Sequence, residues 1–514
     1  MRLLGEPLAP ATHTGDTAHV RIAIVGSGFA GLGLAIRLKE AGIEDFVILE
    51  RAEDIGGTWQ ANTYPGCQCD IPSHLYSFSF AMNPSWSRTY SCQPEIWDYL
   101  RDLGARHGII PHVRFGHELT GADWDEEAQL WRVQSSQGAV TANVLVDATG
   151  GLSQPAAPRI HGLRRFEGHV FHSAQWDHDH DLTGERVAVI GTGASSIQFV
   201  PRIQKRVGQM YVYQRTAPWI MPHTDRPTTA LERRLYRAVP ALQRLVRSAV
   251  YWNKESVVLG MAKSRHHLRA LERLGRLHLR RQVSDPELRR KLTPQFRLGC
   301  KRILLSNHWY PALQQPNVEL VTDAIREIRG RTIVCEDGSE RAVDTIILGT
   351  GFHVSDPPTA ALVRGSDGRS LAEASLGAGI QAYLGTTITG FPNMFKFTGP
   401  NTGLGHNSMV YMIESQLSYV MDALRVMDER GASSFDVRPQ AQLAYNERLQ
   451  AKFPGTVWMS GCASWYLDPA GRNVTLWPDF TWRYRYRTRR FDARAYELRT
   501  GVAAEPEPQP AATA

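Results

Sequence analysis

Two stretches of this chain place glycines where a backbone can close on a phosphate. Gly26-Ser-Gly28-Phe-Ala-Gly31 follows an apolar run at residues 21–25, and a helix-like segment with Leu32, Leu34, Ile36 and Leu38 comes next. A second apolar run, residues 46–49, then ends on Glu50, 22 positions past Gly28. Strand, glycine turn, helix, strand, acid is the order that brings backbone N–H groups to a pyrophosphate at a helix start and a carboxylate to ribose hydroxyls. The acid repels a 2′-phosphate, so this turn suits FAD or NAD. The order recurs at residues 187–190, Gly191-Thr-Gly193-Ala-Ser195-Ser196, a helix-like segment and residues 210–213, but ends on Gln214-Arg215-Thr216. Arg215 offers a planar fork to a phosphate and Thr216 a hydroxyl, which favours NADPH here. Two dinucleotide sites in one chain imply electron transfer from a nicotinamide to a flavin.

These turns require an α/β chain with two Rossmann-like dinucleotide-binding domains, the second nested in the first and carrying a helical insertion. Residues 144–150 and 345–351, apolar runs ending in Thr-Gly, supply closing strands. The expected layout is a flexible arm at 1–19, an FAD domain at 20–152 and 353–500, an NADPH domain at 153–224 and 296–352, a helical insertion at 225–295, and a disordered tail at 501–514. In the insertion, Leu268, Leu271, Leu274 and Leu277 read as one apolar helix face with arginines on the solvated side.

The chain has 514 residues, 42% hydrophobic and 21% charged, which excludes a largely disordered or fibrous protein. No apolar run is long enough for a spanning helix, and no signal core opens the chain, so a cytoplasmic location is expected. Lys+Arg of 58 against Asp+Glu of 51 is a mild excess that does not imply nucleic acid. The basic, amphipathic insertion admits at most weak peripheral contact with a membrane. Six scattered cysteines read as reduced thiols. Cys67-x-Cys69 lacks zinc spacing and is too close for a flavin-reductase dithiol, no metal site is expected, and no nucleophile elbow is present.

Between the turns stands Phe166-Glu-Gly168-His-Val-Phe-His172-Ser-Ala-Gln-Trp176-Asp177. It resembles the F-x-G-x-x-x-H-x-x-x-W-P/D fingerprint of type I Baeyer–Villiger monooxygenases. Flavin-containing N- and S-hydroxylating monooxygenases, the alternative, end this segment in Phe or Tyr. The resemblance extends from about residue 20 to 490. Gly57-Thr58-Trp59 is similar to the family's flavin loop, and Tyr64-Pro-Gly-Cys-Gln-Cys-Asp70, running on to Tyr76, to its Y-P-G-x-x-x-D segment. Gly299-Cys-Lys301-Arg302 resembles the segment holding its active-site arginine. Residues 399–409, ending in Met409, resemble the loop over the flavin ring, and Ser464-Trp465-Tyr466 the mobile loop over the nicotinamide. Gln68 departs from the arginine many members carry there.

The resemblance implies an NADPH- and O2-dependent flavoprotein that inserts oxygen beside a ketone carbonyl through a C4a-peroxyflavin, with sulfides as possible side substrates. Arg302 would stabilise the tetrahedral oxyanion and Asp70 would fix its fork. The FAD set is Gly26, Gly28, Gly31, Glu50, Gly57, Thr58, Trp59, Asp70, Tyr76, Leu119 and Met409. The NADPH set is Gly191, Gly193, Ser195, Ser196, Arg215, Thr216, Lys301 and Trp465. His172 is expected to be a hinge residue on an interdomain linker that bonds to backbone, with Phe166, Gly168, Trp176 and Asp177 around it. The particular ketone and the oligomeric state are not written in these motifs.

Overall fold

The apolar run before the first glycine turn forms strand Ala18–Val25, whose last four residues are buried. It starts earlier than the expected arm allowed: His19, read as part of that arm, sits in the ladder opposite Thr141. The computed structural model describes residues 18–500 apart from 264 and 378, so the rest of the arm and the tail lie outside the described residues.

Ala18–Val25 pairs in parallel with Phe46–Glu50 on one side and Gly138–Asp147 on the other. All five residues of Phe46–Glu50 are buried, as a central parallel strand covered on both faces requires. Helix Phe29–Glu40 makes the crossover between them and buries Leu32, Leu34, Ile36 and Leu38. Val113–Phe115 extends the sheet beyond Phe46–Glu50. At the other edge it turns antiparallel through Leu130–Ser135 and Leu119–Asp125. The chain then leaves for more than two hundred residues and returns first at Val363–Arg364, parallel to Leu119–Asp125, and then at Met394–Lys396, which pairs in parallel with Gly138–Asp147. Lys396 Nζ meets Asp147 Oδ2 at 2.5 Å there, so the late segment is tied to the early one by charge as well as by ladder.

The excursion builds a second sheet, all parallel, in the order Val318–Val321, Gln209–Tyr213, Arg186–Ile190, Thr345–Leu348, His169–His172. The molecule is thus α/β with two Rossmann-like units, the second nested in the first.

Residues 230–291 supply helices Ala230–Ala238, Pro240–Val258, Arg265–Gln282 and Pro286–Lys291. The leucine stripe expected on the third of these is not its buried face. Leu268 is buried, but Leu274 and Leu277 are 44% and 42% exposed. At about 100° per residue, each three-residue step falls about 60° short of a full turn, so Leu277 lies about 180° from Leu268. The inner face instead carries Leu268, Glu272, His278 and Leu279. Gly275 lets it approach Trp219 and Met221, since a Cβ there would stand 3.0 Å from both side chains. Among the described residues no helix is long and apolar enough to cross a membrane.

Candidate functional site

Three separate segments converge on one guanidinium. Asp70 sits in a loop held by hydrogen bonds from Cys69 N–H to Ser91 O (3.0 Å) and from Gln93 N–H to Cys67 O (2.9 Å). Arg302 lies just before the short strand Leu304–Leu305, which pairs with Ile220–Met221 beside the second sheet. Leu404 belongs to the loop at 399–408. That loop is pinned to 473–477 by Gly403 N–H to Thr475 O and Trp477 N–H to Gly403 O, both 2.8 Å.

Arg302 Nε and Nη2 both donate to Asp70 Oδ2, at 3.0 and 2.6 Å, and Nη1 donates to the Leu404 carbonyl at 2.9 Å. A guanidinium has five N–H donors, so three are committed and two remain. The two side chains keep 30% and 29% of their surface, so the pair lines an opening rather than a sealed core. Asp70 holds the Arg302 guanidinium above its ordinary range. Burial pushes the Asp70 carboxyl up, but Arg302 outweighs it and the group stays below its usual value. The pair is ionised throughout the neutral range.

Sequence reasoning missed the helical insertion's contribution. Lys254 is half-buried on Pro240–Val258, and burial, together with Arg302, holds its amine below the usual range against the pull of Asp70. Glu255 beside it is buried and accepts from Asn407 Nδ2 (2.7 Å), Thr481 N–H (2.5 Å) and Thr481 Oγ1 (2.9 Å). His406 Nε2 lies 3.6 Å from Glu255 Oε2, and burial pushes this imidazole below its normal range. A carboxylate on the inner face of an otherwise basic helix was the one available signal.

At the first turn Gly26 has φ +100°, open to glycine without strain, and a Cβ on Gly31 would collide with the Gly26 carbonyl. A Cβ on Gly57 would lie 2.9 Å from the Gly28 Cα, so the two glycine loops meet backbone to backbone with no room for a side chain between them. Glu50 Oε2 accepts from Ser27 N–H (2.8 Å) and Ser27 Oγ (2.6 Å), and Oε1 from Ala52 N–H (2.9 Å). The acid therefore stiffens the turn. Thr58 opens the helix Thr58–Ala61, and Trp59 Nε1 donates to Tyr76 OH at 3.1 Å. Met409 opens helix Met409–Arg430 behind the cap Ser408. Leu119 opens the antiparallel strand Leu119–Asp125, with its side chain in the core.

The second turn repeats the geometry, with Gly191 at φ +110° leading past Gly193 and Ser195 to helix Ser196–Ile203. Among the described residues Ser196 Oγ is buried without a hydrogen-bond partner. Gln214 is buried and donates to Lys291 O at 2.9 Å, which leaves Arg215 exposed at the end of Gln209–Tyr213 and Thr216 half-buried beside it. Burial and the charge of Arg215 hold Lys301 below its ordinary value. Two cations facing one another make a fitting place for a phosphate, and the two turns fit dinucleotides.

The fingerprint segment is strand and packing. His172 lies in His169–His172, paired opposite Leu348, rather than on a linker. Its Nδ1 accepts from Ala174 N–H at 3.1 Å, the backbone bond expected of it, and burial pushes it down to about 4. Phe166 is in the core of this unit, and a Cβ on Gly168 would meet the Phe166 ring at 2.5 Å. Trp176 packs on Phe171 and Phe199, with centroids 5.1 and 5.3 Å away, and Asp177 pairs with His169 at 2.9 Å. Gln68 donates to Tyr90 O (2.7 Å) and Asp225 Oδ2 (2.9 Å), where Arg88 also binds. On the 464–466 loop Trp465 is 48% exposed and Tyr466 is buried.

The reduced-thiol expectation fails at one pair. Cys300 and Cys462 form a disulfide, with Cα atoms 6.3 Å apart across 162 residues of sequence. No spacing along the chain announces it, because the contact arises only when the 399–477 region folds over Arg302. Cys67 and Cys69 are free and buried, and burial pushes the Cys67 thiol to about 12.

A family model described as pyridine nucleotide-disulphide oxidoreductase matches residues 23–258. The chain is 51% identical to a "Baeyer-Villiger monooxygenase" of Pseudomonas aeruginosa over 94% of this chain and 92% of that one. Among solved structures it is similar to cyclohexanone monooxygenase from Rhodococcus sp. Phi1 bound to NADP+, at TM-score 0.85 and 26% identity, covering 95% of this chain and all of that one. It is likewise similar to an OTEMO complex with FAD and NADP, at TM-score 0.83 and 26% identity, covering 94% and 100%.

Proposed function

The chain belongs to the Baeyer–Villiger monooxygenases, and from that premise we propose that it inserts one oxygen atom from O2 beside a ketone carbonyl, giving an ester or lactone, with Arg302 as the catalytic cation. The enzyme is FAD-containing and NADPH-dependent. The flavin, once reduced by NADPH, supplies the activated oxygen. The observation that carries the proposal is the Asp70–Arg302–Leu404 constellation.

Addition to a ketone puts negative charge on its oxygen. A guanidinium cannot surrender a proton at neutral pH, so Arg302 acts by placement of its two uncommitted N–H groups. Asp70 positions it and sets the local charge balance. The Leu404 carbonyl, on the 399–408 loop, accepts from Arg302 Nη1 and fixes the plane of the fork.

Binding follows from the two turns. Gly26, Gly28, Gly31 and Gly57 hold the FAD pyrophosphate, Glu50 its ribose, and Thr58, Trp59, Asp70, Tyr76, Leu119 and Met409 line the rest. Gly191, Gly193, Ser195 and Ser196 hold the NADPH pyrophosphate, and Arg215, Thr216 and Lys301 its 2′-phosphate. The 464–466 loop with Trp465 covers the nicotinamide and excludes water. Sulfides are a secondary substrate class.

The test is product analysis of purified holoenzyme with NADPH, O2 and linear, cyclic, aromatic and steroidal ketones. Ester or lactone formation supports the reading. NADPH oxidation that yields only hydrogen peroxide with every ketone, or oxygenation of amines alone, overturns it.

A further inference from the structure

Cys300 precedes Lys301 and Arg302 directly, and Cys462 stands two residues before Ser464-Trp465-Tyr466. Their disulfide joins the arginine segment to the covering loop. We propose that Cys300–Cys462 is a reversible modification site: a dithiol that hydrogen peroxide closes and a dithiol reductant opens, and whose oxidised form holds the covering loop against Arg302.

The surroundings fit a tether that works at one end. Cys300 is fully buried, and the backbone beside it is clasped: a Cβ on Gly299 would meet Val457 and Met261 at 3.3 and 3.4 Å. Cys462 is only partly buried, in a loop whose neighbours Gly461 and Ala463 are exposed. The next inward side chain, Tyr466, is buried near enough to Arg302 for the guanidinium to act on its phenol. Beyond it, the bond from Leu467 N–H to Ser464 O (3.1 Å) closes a turn within the loop. Among the described residues, the disulfide is the one covalent cross-link that holds this loop to the arginine segment. The other four cysteines are free.

The chemistry balances with a reagent the enzyme makes itself. Oxygen activated without a ketone to receive it leaves as hydrogen peroxide. The Cys462 thiolate attacks one peroxide oxygen, breaks the O–O bond and releases hydroxide, which takes up a proton to leave as water. The Cys300 sulfur then displaces the second oxygen as water. Two thiols lose two electrons and two protons, and one peroxide becomes two waters. Reduction reverses this by thiol–disulfide exchange at Cys462, the less buried of the two residues. Closing the loop on the nicotinamide favours coupled turnover, so peroxide leaking from a loose enzyme tightens it.

This effect on coupling rests on the function proposed above, so the experiment reads the tether separately. Holoenzyme is treated with peroxide or with a phosphine reductant, freed of reagent, and denatured for thiol titration. The expected counts are four thiols oxidised and six reduced, from six cysteines with one disulfide. Hydrogen exchange over residues 460–476 should rise roughly tenfold on reduction. The peroxide formed per NADPH in the presence of ketone should rise several-fold. Cys462→Ser should show the reduced behaviour under both treatments, and because that side chain is only partly buried the variant is expected to fold. Six thiols after peroxide treatment, or equal loop exchange in both states, overturns the site. Equal coupling in both states with the tether confirmed overturns its control of turnover. Absence of ketone oxygenation in every state instead fails the functional reading, while titration and exchange still decide the tether.

Discussion

Replacing Arg302 by alanine is the sharpest test of the chemistry. Three of its five N–H groups are spent on Asp70 and Leu404, which leaves about two for a substrate oxygen. Loss of one pre-oriented donor costs about 2.7–4 kcal/mol of barrier, or 10²–10³ in rate. The second donor does not double this, because donors acting on one oxygen are not additive. Ester formation should therefore fall by at least about 10²-fold. Hydride transfer from NADPH builds no oxyanion and should fall less than about tenfold. Removal of the guanidinium leaves Asp70 without its counter-charge, so its carboxyl pKa rises, and the loss deepens at higher pH, where the unpaired carboxylate ionises and repels the developing oxyanion. The assay is anaerobic stopped-flow bleaching of the flavin by NADPH, paired with gas chromatography of product under air. A folded Arg302→Ala enzyme that makes ester within tenfold of wild type would refute the reasoning.

Arg215→Glu places an acid where the 2′-phosphate is proposed to bind; KM for NADPH should rise about 10–100-fold and that for NADH change little, and an unchanged preference in steady-state kinetics moves the phosphate site elsewhere. Glu255→Ala strands Asn407 and both Thr481 donors in a buried place, so unfolding free energy should drop by about 1–3 kcal/mol in chemical denaturation; a loss under 0.5 kcal/mol contradicts the role of this carboxylate. Burial raises the Asp436 carboxyl to about 7. A folded value above the unfolded one means the fold binds a proton that the unfolded chain releases, so stability declines as pH rises from about 4 to about 7. Asp436→Asn should remove that part of the pH dependence of Tm, and an identical Tm profile in the variant rejects it.

What the sequence disclosed was what is local. Glycine turns announce themselves because a positive φ and a collision-free approach are properties of single positions, as Gly26 and Gly31 show. The acid-to-arginine contrast between Glu50 and Arg215 was visible for the same reason. The site's assembly was not local. Arg302, Asp70 and Leu404 come from three parts of the chain, and only the family resemblance brought the first two together in advance. Glu255 and Lys254 were hidden inside a basic helix, where charge looked like solvated surface. Leu274 and Leu277 were misread because a three-residue repeat drifts around a helix of 3.6 residues per turn. The disulfide depends on a fold-back that no periodicity encodes.

Asp70 and Leu404 belong to segments tied to the outer, interrupted half of the chain, whereas Arg302 arrives from beside the inner, inserted half. Their hydrogen bonds thus act as a gauge block between the two sheets, beside the bonds that tie Gln68 to Gln198 and Asp225. Chimaeras that graft a foreign inserted half onto this outer half will keep their nucleotides yet miss the gauge unless the segment bearing Arg302 travels with its matching Asp70 and Leu404 loops.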